Sequence, residues 1–218
     1  MQHNEIVARE GWIFIIISLA VSAVLAYFNF YITALIFAVI TLFCIFFFRN
    51  PGRVIPKGDE MVVSPADGKV MDVTTVNEEL FLKGEAKRIR IFLSLFNVHI
   101  NRAPVSGKVS FVKQVTGQYL PAYKDEASFK NQRNYIGLET EFGKVMVVQI
   151  TGLVARRLVC WVESGNVLQR GERFGLIRFG SCTEIYLPVE TEVLVKTGDI
   201  VKGGESVIAK FISNFDSN

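Results

Sequence analysis

From Gly11 to Phe48 the chain carries no charged residue, whereas from Met61 onward short apolar runs alternate with Gly, Pro, Asn and Asp. As a single helix the charge-free stretch would measure about 57 Å, nearly twice the ~30 Å hydrocarbon core of a bilayer. Two spans that turn near Asn29 fit better. Tyr27 and Tyr31 flank that turn and Trp12 stands at the outer end, where interfacial aromatics belong. Each half is slightly short for a full crossing, so a shallow re-entrant hairpin is the variant of this reading. A cleaved signal peptide is the alternative, but the run is too long and lacks a small-residue cleavage site.

Asn50 to Glu60 is rich in Pro and Gly and reads as a linker. Beyond it, β-branched and aromatic residues between turn signals predict strands at Lys69–Val76, Arg88–Leu95, Gly107–Val115, Tyr135–Glu141, Val145–Ile150, Phe174–Phe179, Thr183–Leu187 and Val207–Ile212. Short helices are predicted at Val154–Trp161 and Glu126–Gln132. Ser64-Pro-Ala-Asp-Gly-Lys-Val70 is echoed by Ala103-Pro-Val-Ser-Gly-Lys-Val109, and Val195–Val207 adds tight Gly turns. Such phrases are similar to those of barrel-sandwich domains, where glycine supplies positive-φ turns. The expected fold is mostly β (α+β): a barrel-sandwich-like domain with few short helices, preceded by an N-terminal transmembrane helical hairpin. The layout is a tail (1–10), the hairpin (11–48), a linker (49–60) and the main domain (61–218).

Arg9 precedes the first span, Arg49, Arg53 and Lys57 follow the second, and the turn is uncharged. The positive-inside rule then places both ends, and the main domain, on the cytoplasmic side of the cell (inner) membrane. A net charge of +3 is too small to argue for nucleic acid and suits a domain lying on an anionic leaflet. Cys44 lies in the second span, while Cys160 and Cys182 lack CxxC spacing and a neighbouring histidine. Neither a structural zinc nor a disulfide framework is expected.

The chain has two histidines, and His3 lies in the tail. A serine hydroxyl needs a base, and a carboxylate commonly orients that base. A nucleophilic serine in the main domain must therefore use His99. Asp67, in the turn Pro65-Ala-Asp-Gly68, is the chosen carboxylate. Ser181 follows Gly180 between two extended runs, where the backbone can deform. Taken singly, each of these residues is commonplace.

Jointly they are not. Phe96-Asn-Val-His-Ile-Asn-Arg-Ala-Pro104, Pro65-Ala-Asp-Gly-Lys-Val70 and Leu176-Ile-Arg-Phe-Gly-Ser181 resemble, in order and spacing, the phosphatidylserine decarboxylases, in particular their short, archaeal-type form. Gly117–Ala122, Asn131–Asn134 and Gln149–Val159 look like the same family, so the resemblance covers the chain beyond the linker. It implies an autocatalytic cut at Gly180-Ser181 into a β chain (1–180) and an α chain (181–218) that stay together as a heterodimer, with a higher oligomer left open. It further implies that Asp67-oriented His99 activates Ser181, which becomes a covalent pyruvoyl group; no pyridoxal phosphate and no metal is implied. The pyruvoyl ketone would form a Schiff base with phosphatidylserine in the membrane and act as an electron sink, yielding phosphatidylethanolamine and carbon dioxide. Arg102, Arg133 and Arg178 are candidates for the substrate phosphate or carboxylate.

Two positions depart from the commoner pattern. Longer members carry a second histidine where this chain has Phe96, so His99 or a water must supply the proton after decarboxylation. Cys182 stands where serine, threonine or arginine is usual, which raises a rival cut at Ser181-Cys182. Two other functions share the anchor and the Gly turns. A membrane-anchored barrel-sandwich adaptor or carrier would need a modifiable lysine in a Met-Lys-Met or Asp-Lys-Ala context, or a coiled-coil insert, and the chain has neither. A pyruvoyl decarboxylase of another serine phospholipid would use the same fold and chemistry.

Overall fold

In this computed structural model, residues 5–153, 157–178 and 181–212 are described; His3, Phe179 and Gly180 lie outside them. The chain divides into two compact units, Met1–Gly52 and Arg53–Asn218.

The first unit is a pair of apolar helices, α1 (Trp12–Tyr27) and α2 (Tyr31–Phe47), entered through a 3-10 turn at Arg9–Gly11. The turn falls at Asn29, whose φ of 63° is a left-handed conformation that asparagine tolerates better than most residues. Tyr31 Oη donates to Asn29 Oδ1 at 2.6 Å and fixes the bend. Polar side chains stitch the seam: Thr41 Oγ1 donates to Ser18 Oγ at 2.8 Å, and Ser22 Oγ to the Ala34 carbonyl at 2.8 Å. Between apolar helices such bonds each add about 0.6–2 kcal/mol, and small residues let the backbones approach. Arg9–Tyr27 is long and apolar enough to cross a membrane, with a mean hydropathy of 1.9.

The second unit is mostly β. In chain order its strands are β1 (Met61–Val63), β2 (Gly68–Glu78), β3 (Gly84–Leu93), β4 (Ile100–Arg102), β5 (Gly107–Val115), β6 (Arg133–Thr140), β7 (Gly143–Thr151), β8 (Arg157–Cys160), β9 (Val167–Leu168), β10 (Arg173–Arg178), β11 (Ser181–Pro188), β12 (Glu192–Val193), β13 (Ile200–Val201) and β14 (Val207–Lys210). A short helix, α3 (Ala127–Lys130), precedes β6. A curled, half-barrel sheet runs in the order β13-β2-β3-β11-β7-β6-β5-β9, and two three-stranded sheets, β1-β14-β12 and β4-β10-β8, accompany it.

The helix expected at Val154–Trp161 is not formed: Arg157–Cys160 is β8, pairing antiparallel with β10 from Gly175↔Cys160 to Arg178↔Arg157. A short apolar run does not distinguish helix from strand, and here the pairing decides. Residues 154–156 lie outside the described set. The helix expected over Glu126–Gln132 shrinks to α3, because Asn131 turns extended and its side chain donates to the carbonyls of Leu120 (2.8 Å) and Thr151 (2.7 Å).

The repeated phrase is structural. Its two lead-ins run side by side, with Val63 N–H donating to the Pro104 carbonyl and Arg102 N–H to that of Pro65, both at 2.9 Å. Gly68 and Gly107 open β2 and β5, but not through positive φ. They permit close approach: a Cβ on Gly68 would lie 2.2 Å from the Phe92 carbonyl oxygen, and one on Gly107 2.7 Å from that of Glu139. The left-handed turns are made by Gly198 and Gly204, with φ of 100° and 79°.

Successive side chains of β11 point to opposite sheet faces. Ile185 and Leu187 join the main core with Ile89, Ile91, Leu93 and Val147, whereas Cys182 packs in a second cluster with Met146, Val148 and Ile150. Gly68→Ala is expected to cost about 1–3 kcal/mol through overpacking against backbone. Gly84→Ala, where nothing lies within 4 Å, is expected to be near neutral. Thermal unfolding of the detergent-solubilised chain compares the two.

Candidate active site

Ser181 is the first residue of β11 and is flanked on both edges, opposite Leu93 of β3 and Thr151 of β7. It is fully buried, and its hydroxyl has no hydrogen-bond partner among the described residues. An unsatisfied buried hydroxyl costs about 1–3 kcal/mol, so ordinary folding does not favour one. Gly180, the other half of the expected scissile bond, lies outside the described residues.

His99 is presented by the turn after β3. Asn97 Oδ1 accepts from the Ser94 N–H (2.9 Å) and hydroxyl (2.7 Å), and Asn97 N–H donates to the Ser94 carbonyl at 3.1 Å. The turn aims the Asn97 carbonyl at His99 Nδ1, 3.0 Å away. A carbonyl can only accept, so Nδ1 is the donor in this contact, and in the neutral form of the ring the lone pair would sit on Nε2. The imidazole is buried, and the Ile177 N–H donates to the His99 carbonyl at 3.1 Å.

The two segments meet through side chains. Asn101, two residues after His99, donates Nδ2 to the Oγ1 of Thr183, two residues after Ser181, at 3.0 Å. This contact ties the segment that follows His99 to the strand that Ser181 opens.

Asp67, expected to orient His99, is held elsewhere. Arg53 Nη2 donates to both its oxygens (2.9 and 2.8 Å), and the Gly203 N–H donates to Oδ1 at 2.7 Å. The Asn97 carbonyl takes the place at Nδ1 that the sequence reading gave to Asp67. Arg53 also pairs with Glu205 at 3.4 Å.

The three arginines separate. Arg102, next to Asn101 in β4, donates Nη1 to the Gly171 carbonyl at 2.9 Å and is buried. Burial, then the charges of Arg173 and Arg53, pull its pKa down to about 10. That guanidinium is part of the fold. Arg133 stands opposite Ile150, which stands opposite Cys182. Directly opposed residues share a face, so Arg133 projects from the side away from Ser181, where its Nη1 donates to the Ser128 carbonyl at 2.7 Å. Arg178 ends β10, three positions before Ser181 in the sequence.

Cys182 points to the opposite face from Ser181. Its thiol is pushed up to about 12 by burial and then by the nearby charge of Glu184. Glu184 is itself buried, accepting from the Ser128 hydroxyl (2.6 Å) and the Tyr186 hydroxyl (2.7 Å), with Arg90 Nε 3.7 Å away. Burial and Glu184 raise the Tyr186 phenol as well.

The sequence reading missed the Asn97 carbonyl, the Arg53 clamp and the role of Asn101. The alternation His99-x-Asn101 and Ser181-x-Thr183 is the one sequence signal that points to the last.

Comparison with known proteins identifies the family. The phosphatidylserine decarboxylase family matches residues 40–209. A phosphatidylserine decarboxylase proenzyme of Carboxydothermus hydrogenoformans is 50% identical over 212 residues, covering 96% of this chain and 99% of that protein. One of Symbiobacterium thermophilum is 50% identical over 208 residues, covering 95% and 96%. One of Syntrophus aciditrophicus is 45% identical over 216 residues, covering 97% and 100%. With a family match over residues 40–209 and relatives 45–50% identical along almost their whole length, the chain belongs to the phosphatidylserine decarboxylase family.

Proposed function

We propose that this chain is a proenzyme that cuts its own backbone between Gly180 and Ser181 and then converts phosphatidylserine to phosphatidylethanolamine and carbon dioxide, as in the short, archaeal-type form of the family. The observation that carries this reading is the Ser181 hydroxyl, buried and without a partner among the described residues, in a strand paired on both edges.

His99 Nε2 removes the hydroxyl proton and the oxygen adds to the Gly180 carbonyl carbon. The Gly180–Ser181 C–N bond breaks as the departing nitrogen takes a proton, which leaves an ester. Loss of the Ser181 α-proton then breaks the Cβ–O bond. Residue 180 is left as a carboxylate and residue 181 with a Cα=Cβ double bond. Tautomerisation and attack by water release the nitrogen as ammonia and leave residue 181 as pyruvoyl.

The surroundings fit that group: a small residue, shielded from water, at the new terminus of a strand whose ladder persists after the cut. At residue 181 a pyruvoyl group would supply a carbonyl that serves as the electron sink for decarboxylation of the substrate. With Phe96 in place of a second histidine, His99 carries the proton back to the substrate carbon. Arg178 receives the phosphate or carboxylate. Asp67 stabilises the wall behind β4, since the neighbouring Pro65 carbonyl accepts from Arg102 N–H and from Asn101 Nδ2.

The helix pair anchors the enzyme in the bilayer that holds its substrate. Basic residues at both outer ends (Arg9, Arg49, Arg53 and Lys57) put the catalytic unit on the cytoplasmic face. At about 24 and 26 Å, α1 and α2 come near the hydrocarbon thickness.

His99→Ala is expected to slow self-cleavage at least ~100-fold, so that denaturing gels show one full-length chain where the parent shows two. A normal cleavage rate in that variant would remove His99 as the base. The rival cut led by Cys182 needs a thiolate, yet a thiol raised to about 12 is protonated at pH 8. Iodoacetamide at pH 8 is therefore expected to spare Cys182 in the folded protein and to label it in denaturant, as read by peptide mass. Labelling of the folded form at a rate typical of exposed thiols would revive the rival.

A further inference from the structure

β4 and β11 belong to different sheets, so no backbone ladder fixes the segment of His99 against that of Ser181. A row of buried amides joins them. Asn134 of β6 donates Nδ2 to Gln149 Oε1 at 2.9 Å, and Gln149 of β7 donates Nε2 to Asn101 Oδ1 at 2.8 Å. Asn101 in turn donates to Thr183 Oγ1 at 3.0 Å. All four side chains belong to residues with 0% exposure.

The polarity of the row is determined. Asn101 Nδ2 also reaches the Pro65 carbonyl at 3.3 Å and Gln149 Nε2 the Val159 carbonyl at 3.4 Å. Carbonyls accept only, so these amide atoms are the nitrogens and Thr183 is the acceptor at the end of the row. Gly175 of β10 makes room for the row, since a Cβ there would lie 3.0 Å from Gln149 Nε2 and 2.3 Å from the Val159 oxygen. Apolar side chains of similar shape would fill such a space at lower desolvation cost, whereas a hydrogen-bonded polar row, here satisfied except at Asn134 Oδ1 among the described residues, selects one arrangement of its strands.

We propose that this amide row positions the Ser181 oxygen against His99, with Asn101 and Thr183 as the positioning residues at its end. The proposal rests on the self-cleavage reading and acts twice within it. Before the cut, the row sets the distance over which His99 takes the proton. After the cut, the covalent path from β10 to β11 is gone, and the Asn101–Thr183 bond crosses between the two chains and keeps the new terminus facing β4.

Thr183→Val keeps the shape and removes the acceptor. It is expected to slow self-cleavage at least ~10-fold and to lower kcat of the matured enzyme similarly, with KM within about twofold of the parent and a modestly lower unfolding temperature, since one buried Asn101 N–H loses its acceptor. Thr183→Ser, which restores the hydroxyl, is expected to return both rates to within about threefold. Wild-type rates in the valine variant, or a serine variant as slow as the valine one, would overturn the proposal. If the valine variant fails to fold, Gln149→Met is read by the same criteria. A parent chain that never cleaves would instead overturn the self-cleavage reading.

Discussion

The structure depends on how β11 is held. From Ser181 to Pro188 it pairs residue for residue with β3, and from Ser181 to Tyr186 with β7. Under the self-cleavage proposed above, interior position is what would make the cut tolerable. A strand bonded on both edges does not leave the sheet when the peptide ahead of it is broken, and its side chains lock both faces. One face contributes Ile185 and Leu187 to the main core, and the other seats Cys182, Glu184 and Tyr186 among Arg90, Ser128 and Ile150.

The same alternation sorts the chemistry. Ser181 and Thr183 face β4 and its neighbours, while Cys182 and Glu184 face away. The thiol next in sequence to Ser181 is thereby kept neutral, and a buried carboxylate two residues further along the same strand is occupied by Ser128 and Tyr186. On the other side the chain sets a row of hydrogen-bonded amides in place of charge.

Much of this was legible in the sequence, for identifiable reasons. The helix pair and its turn follow from a charge-free run too long for one span, broken at an asparagine. The long strands follow from β-branched patterning, and Gly107–Val115 is found with the bounds expected for it. Ser181 and His99 stood out because histidine is scarce. What was not legible depended on contacts across the sheets. The face of Arg133 is fixed only once its register with Ile150 is known, and the partner of Asp67 is an arginine in the linker. The orienting group on His99 is a main-chain carbonyl, which no side-chain pattern announces. The Val154–Trp161 reading failed where a short apolar run had two possible periods and β10 supplied the pairing.

The central claim is that the chain severs itself at one bond and remains assembled. Intact mass of the purified, membrane-embedded protein, taken under denaturing and under native conditions, tests it most directly. The account predicts two denatured species, residues 1–180 and residues 181–218 with a keto group in place of the first amine, and one native species of their combined mass. A single uncut chain that nonetheless decarboxylates phosphatidylserine would contradict it.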